Sequence, residues 1–98
     1  MLNQLLNKKV IYAVYHTKEI RTGWCMSVEK IYPDGRAWPH IIDDENKITF
    51  AVFGPVTPYN KDTIEAVAKI NKENQDLNER FVKCWDLLYS VDYNREGS

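Results

Sequence analysis

Hydrophobic and polar residues follow two different periods along this chain, and the change falls near residue 56. Before it, β-branched and aromatic residues occur in short alternating runs, which are typical of strands. After it, apolar residues recur every three or four positions, and residues 62–92 contain no Gly or Pro, which is typical of a helix. The predicted strands cover residues 10–16, 20–32, 36–42 and 47–53.

Short turns separate these strands, so consecutive strands are expected to pair with one another. The sequence therefore predicts an α+β fold: a four-stranded antiparallel β-meander followed by a long or broken C-terminal helix packed on the sheet. The 98 residues are enough for a single domain, with the sheet in residues 8–56 and the helical segment in residues 58–92.

The helical segment has two equally good predicted starts. One is Asp62 as the N-cap with Glu65 three residues later, and the other is Thr57 as the N-cap with Pro58 in the first helical position. About thirty residues of helix would be about 45 Å long, whereas the strands span roughly 20 Å. The helix therefore either runs past its own sheet or breaks within residues 71–79, and the pattern leaves both open.

The second predicted strand has one face that is mainly large and apolar and one that is small or polar. We assign the apolar face, which carries Trp24, Met26 and Val28, to the core. The opposite face carries Arg21, Gly23, Cys25 and Ser27, and we expect it to be polar.

The helical segment is apolar on two adjacent stripes. One follows a heptad pattern that ends in Phe81, Cys84 and Leu88, and the other consists of Val82, Trp85 and Tyr89. A helix with two apolar stripes needs cover on two sides, and a chain of this size has little material left for the second. We therefore expect a homodimer through residues 77–91.

Composition sets aside several classes of protein. The net charge is −1, which disfavours nucleic acid as a partner. No apolar run is long enough to cross a bilayer, and the first nine residues are too polar for a signal peptide, so we expect a cytoplasmic protein without a membrane partner. There is no nucleotide-binding loop or metalloprotease motif, and we expect no cofactor.

Residues 33–45 combine a turn, a tryptophan, a histidine and three acids. His40 with the acids of residues 43–45 has the right side-chain types for a metal or acid–base site. The acids are also explained as turn formers at an exposed hairpin tip, which disfavours a metal site. Pro39 lacks an amide donor, so we expect its strand to lie at the edge of the sheet.

Aromatic residues are plentiful, and Trp38 between Arg36 and His40 is typical of a recognition edge, because Trp and Arg dominate binding surfaces. The predicted binding residues are Arg21, Tyr32, Arg36, Trp38, His40 and Tyr59. They favour a small non-enzymatic binding protein that acts by occupancy, as an inhibitor or sequestering module that blocks a protein partner. Compact inhibitors from phages and mobile elements are similar in type.

Three alternatives stay open. One is sequestration of a small nucleotide-like ligand, although only four arginines are available for its phosphates. Another is a small enzyme that uses Cys25 and His40, since a thiolate with a neighbouring base makes a nucleophile. The last is single-stranded nucleic-acid binding on the face of the sheet, where aromatic side chains could stack on bases.

Overall fold

The computed structural model describes residues 5–30, 37–52 and 54–97, apart from the side chains of residues 28–30, 37, 38, 50 and 92–97. Five strands and two helices are present in these ranges: β1 (Lys9–Val14), β2 (Glu19–Lys30), β3 (Ala37–Asp43), β4 (Thr49–Ala51), β5 (Val56–Pro58), α1 (Lys61–Glu73) and α2 (Leu77–Gly97).

The strand order is β4-β3-β2-β1-β5, and each neighbouring pair is antiparallel. The predicted α+β fold with a four-stranded meander is thus confirmed. A short fifth strand adds to the other side of β1, in a segment that the sequence pattern had assigned to a turn and a helix start.

The sheet curls so that its two edges approach one another. Edge strands β4 and β5 are joined by residues 52–55 alone, which reach at most about 17 Å, whereas a flat five-stranded sheet is about 19 Å wide. One buried cluster fills the inside of the curl with side chains from both ends and the middle of the sheet: Leu5, Val10, Tyr12, Cys25, Ile41, Val52 and Val56.

The outer face of the sheet is partly covered by α2. Ile11 and Ala13 of β1 point outward and pack with Phe81 and Leu88 of α2 in a second buried cluster. This confirms that the heptad stripe of the helix is its core side. Within the described part of the chain, no helix is both long enough and apolar enough to cross a membrane.

The helical segment is broken at residues 74–76, one of the two outcomes that the sequence left open. Asn74 ends α1, and its backbone and side-chain amides both donate to the Ile70 carbonyl. The Asp76 carboxylate accepts from the Glu79 amide at the start of α2, 2.9 Å away. Neither predicted cap starts α1: Asn60 does, because its side chain accepts from the amides of residues 62 and 63.

The predicted faces of β2 are reversed over residues 23–26, whereas the side chain of Val28 lies outside the described part of the chain. Cys25 and Gly23 are buried, whereas Trp24 and Met26 are about half exposed. The inside of the curl is narrow at this point: a Cβ on Gly23 would lie 2.6 Å from Ile41 Cγ2. Small residues therefore occupy the inner face, and the large ones lie outside.

The predicted edge position of β3 is also wrong, because β4 pairs with its outer side. The Pro39 carbonyl accepts a hydrogen bond from the Val52 amide at 3.1 Å. Pro39 has no amide hydrogen to return that bond, so the regular pairing of β3 with β4 stops next to it.

Candidate functional site

A buried ionic cluster links three strands at one end of the curled sheet. Asp43, at the end of β3, is 1% exposed. Its carboxylate accepts from Arg21 Nε at 2.6 Å and Arg21 Nη2 at 2.9 Å, and also from the Tyr12 hydroxyl. The prediction that this acid lies at an exposed hairpin tip is therefore wrong for Asp43.

The same carboxylate orders the β3–β4 turn, because Asp43 Oδ1 accepts from the backbone amides of Glu45 and Asn46. The hydrogen bonds from Arg21 are the largest influence on Asp43 and hold its pKa well below the usual range, although burial acts in the opposite direction. Burial, followed by the Asp43 carboxylate, raises the pKa of the Tyr12 phenol well above its usual value. The cluster thus favours an ionised acid beside a neutral phenol.

Arg21 directs its donors at carboxylates of its own chain. Besides Asp43, it contacts Glu19 at 3.2 Å and Glu45 at 3.0 Å. A guanidinium with this many internal partners holds the sheet together, and an external anion would have to compete with three carboxylates. Arg21 was predicted to be a binding residue, and these contacts favour a structural role for it.

The geometry does not favour a thiol nucleophile. Cys25 is completely buried, its Sγ lies 3.7 Å from the Ser27 carbonyl, and burial raises its pKa. A reactive cysteine needs a lowered pKa and access to substrate. Among the residues that the structure describes, no three His, Cys, Asp or Glu side chains are grouped as metal ligands.

The outer face of the sheet carries a row of side chains that α2 does not cover. Lys9 of β1 lies opposite Trp24 of β2, Trp24 lies opposite Ile42 of β3, and the Tyr59 amide bonds to the Lys9 carbonyl on the other side. Trp24 is 45% exposed and Tyr59 is 42% exposed. We call these four residues the sheet platform.

The charge on the sheet platform is balanced internally. Lys9 Nζ lies 4.6 Å from the centre of the Tyr59 ring and 3.7 Å from the Asp44 carboxylate. Asp44 in turn accepts from the Thr22 hydroxyl at 2.9 Å. The platform therefore presents two aromatic side chains and an aliphatic one around a lysine whose charge is already paired.

A second exposed apolar surface lies at the opposite end of β1. It consists of Tyr15, Val82, Trp85 and Tyr89, and we call it the aromatic face. Tyr15 is 68% exposed, Val82 56% and Tyr89 52%. The ring centres of Tyr15 and Trp85 are 6.2 Å apart, in an edge-to-face arrangement. The apolar second stripe predicted on the helix is thus present: Val82 and Tyr89 are exposed, and Trp85 is partly buried against the second cluster.

Two depressions flank the Tyr15–Trp85 pair. The larger has a volume of about 490 Å³ and continues along the end of β1 to Val52 and Gly54. The smaller has a volume of about 330 Å³ and lies beside Lys18, between the β1–β2 turn and α2. The aromatic face is therefore a ridge between two hollows.

The predicted binding residues are not brought together at one site. Tyr32 and Arg36 lie outside the described residues, and so does the side chain of Trp38. His40 is partly buried on the same side of β3 as Ile42, and Tyr59 belongs to the sheet platform. Lys9 and Trp24 of the sheet platform were not among the predicted binding residues. Trp24 was assigned to the core because it is large and apolar, and Lys9 has no local sequence signal.

Comparison with models of known protein families, with curated protein sequences and with solved structures found no match. The function is therefore argued from the side chains themselves. They define a small α+β domain with two separate exposed apolar surfaces, whose positions differ by the length of β1, about 20 Å.

Proposed function

We propose that this chain is a small non-enzymatic binding protein that acts by occupying a protein partner, and that the sheet platform is its contact surface. The observation that carries the proposal is the pair of half-exposed aromatic residues, Trp24 and Tyr59, on either side of Lys9. Tyr and Trp supply large contact area at low conformational cost and are enriched in binding hot spots.

Charge balance indicates the kind of partner surface. Because Lys9 is already paired with Asp44 and Tyr59, the platform gains little from an additional charge. A protein surface with apolar or aromatic side chains at its centre is the better complement, since the core of a protein interface is depleted of charged residues. A cytoplasmic location is part of this proposal, and both cysteines are free thiols, as expected in a reducing compartment.

The test begins with a photo-crosslinking amino acid at position 24 or, as a control, at position 48. Ile48 is 57% exposed, but it lies outside both apolar surfaces. A partner that crosslinks from position 24 alone is purified, and its affinity is measured by calorimetry. We expect Trp24→Ala to cost about 2 kcal/mol or more of binding, while Ile48→Ala binds like the wild type. Equal binding by both variants would refute the platform as the contact surface.

Sequestration of a small ligand is the second candidate, and the 490 Å³ hollow beside Tyr15 and Trp85 favours it. Its volume lies within the usual range for ligand sites. The described lining contains His16 but no lysine or arginine, so an apolar ring compound fits it better than a nucleotide. Thermal melting with ATP and with a neutral aromatic compound, compared between wild type and Tyr15→Ala, would distinguish the two ligands.

Single-stranded nucleic acid is disfavoured on the same surface by the pairing of Lys9 with Asp44. Stacking on Trp24 would remain available, but phosphate contacts would not. Salt-dependent binding of an oligonucleotide that is lost in Trp24→Ala would replace the protein-partner proposal. The homodimer expected from the sequence concerns the aromatic face instead.

A further inference from the structure

We infer that the aromatic face binds a second copy of this chain, in a two-fold dimer in which Lys18 of each copy pairs with Glu79 of the other. This inference concerns a different surface from the proposed partner site and does not depend on it. It rests on two charges of opposite sign that form no salt bridge with any described residue, beside one partly exposed apolar ridge.

Lys18 is the first of these charges. It lies in the β1–β2 turn with φ of 59°, and its Nζ is 3.5 Å from the centre of the Tyr15 ring and 5.3 Å from that of Phe81. In the described part of the chain no carboxylate forms a salt bridge with it. The ammonium group is thus held at the rim of the smaller hollow, with an aromatic surface on one side and room for an acid on the other.

Glu79 is the second charge, on the exposed side of the first turn of α2. Its side chain has no salt bridge to any described residue. The nearest basic residue one turn along is Lys83, whose Nζ instead donates to Asn74 Oδ1 at 2.6 Å across the helix break. Glu79 therefore lies beside Val82 of the aromatic face, where the helix dipole favours its charge and its carboxylate is still available to a cation of a second copy.

A two-fold axis parallel to α2 would bring these groups together. Such an axis places α2 of each copy over the β1–β2 turn of the other. Because the rotation axis runs along the helix, each residue keeps its position along the helix axis, and equivalent residues of the two copies lie at the same level. Lys18 lies at the height of Asn78, Phe81 and Val82, with which it lines the smaller hollow. In a second copy the exposed acid at that height is Glu79, and the symmetry makes the contact twice.

The same arrangement covers the apolar ridge. Val82 and Trp85 of one copy would lie over Tyr15 of the other, so the exposed side chains of Tyr15 and Val82 and the partly buried ring of Trp85 lose their contact with water. Burial of this kind supplies the affinity, and the two ion pairs set the orientation. An antiparallel pairing centred between Val82 and Lys83 would instead bring Glu79 near Asp86 of the second copy, which is a repulsion between like charges.

Charge reversal tests the pairing directly. Sedimentation equilibrium of the full chain over a dilution series should show a dimer for the wild type. We expect Lys18→Glu and Glu79→Lys each to raise the dissociation constant about tenfold or more. The double variant Lys18→Glu/Glu79→Lys should return to the wild-type value, because the ion pair is restored with its sign reversed.

Asp86→Lys is the matched control, since residue 86 lies seven residues and about 10 Å further along α2; it should change the dissociation constant little and should not rescue Lys18→Glu. Val82→Glu, at an exposed position, should give a folded monomer even if a Glu79 variant were to unfold. A wild-type monomer at every concentration would overturn the inference. So would a dimer that is indifferent to Lys18→Glu, or a double variant that stays dissociated.

Discussion

The indole ring of Trp85 lies directly against the backbone of Gly54. A Cβ at position 54 would lie 2.7 Å from Cη2 of that ring and 2.8 Å from Cζ3, much closer than side-chain atoms approach one another. The contact joins α2 to the connection between the two edge strands. The helix therefore stabilises the curled shape of the sheet, because it contacts the β4–β5 connection, and it also covers part of the outer face of the sheet.

Gly54→Ala should displace the Trp85 ring and lower the free energy of unfolding by about 1–3 kcal/mol, the usual cost of overpacking a buried contact. Urea unfolding and the near-ultraviolet circular dichroism of the tryptophans would measure both effects. Gly23→Ala is the comparison, because its Cβ would lie 2.6 Å from the Ile42 carbonyl oxygen. A backbone carbonyl within a sheet can move less than the end of a tryptophan side chain can. We expect the larger loss at position 23, and an equal or smaller loss there would contradict the curl described above.

Asp43→Ala should unfold the protein much more easily than Asp44→Ala does. The first change leaves Arg21 Nε and the turn amides of residues 45 and 46 without their acceptor, although Glu19 and Glu45 still contact the guanidinium. Breaking a buried pair costs about 3 kcal/mol or more. The second removes an exposed ion pair with Lys9, worth less than about 1 kcal/mol, and one hydrogen bond from the Thr22 hydroxyl, worth about 1 kcal/mol. Denaturant unfolding of the two variants gives the comparison, and similar losses would mean that the buried cluster contributes little to stability.

Acid should destabilise the protein through Asp43. The pKa of this carboxyl is lowered by folding, so its contribution is present above its unfolded pKa of about 3.9 and is lost as the pH falls below it toward the folded value. Unfolding free energies measured between pH 6 and pH 2 should fall steeply below about pH 4. Asp43→Asn, which cannot ionise, should flatten this part of the curve, and an unchanged slope would assign the acid sensitivity to other carboxylates.

Asn60→Ala should lower the unfolding free energy by about 1 kcal/mol, because the Asn60 side chain accepts from two amides that no other group in α1 can satisfy. Asp62→Ala is the control at the position that the sequence pattern favoured as the cap. Asp62 lies inside the first turn and interacts with the helix dipole alone, so its loss should be smaller. Thermal melting of both variants would show the order, and a reversed order would indicate that the helix begins at residue 62.

The elements of this fold could be predicted from the sequence because each has its own local signal. The run of β-branched and aromatic residues in β1, the alternation in β2, the turn residues 43–46 and the three-to-four spacing in α2 all reflect local sequence. The break at Asn74 was one of two open outcomes. It occurs because a polar side chain at that point can satisfy the end of one helix while Asp76 starts the next.

The faces of β2 could not be predicted in the same way, because both sides of the sheet bury side chains. Small residues in β2 then mark the face of the sheet that has little space, and large residues mark the face that has more. Residue size does not indicate which of the two faces is buried. Cys25 lies inside because the curl leaves little room there, and Trp24 lies outside because it does not fit. A preference for large residues in the core gives the opposite assignment.

The Arg21–Asp43 cluster depends on a register that no local pattern reveals. Gly23 pairs with Asp43, but the pairing of β2 with β3 shifts by one residue between Cys25 and Ser27. That shift is a bulge at Met26, and it decides which side chains of the two strands share a face. Once the register is known, Arg21, Asp43 and Tyr12 are neighbours; from the sequence alone the acid is simply one of four turn residues.

Both edge strands, β4 and β5, are only three residues long. Long exposed edges invite another chain to add a strand, and that is a common route to aggregates and amyloid. A sheet with such short edges offers few backbone donors and acceptors for this purpose. A partner that approaches either of these edges must therefore recognise side chains more than backbone, and strand-by-strand aggregation at β4 or β5 should be disfavoured even where the aromatic residues remain in contact with water.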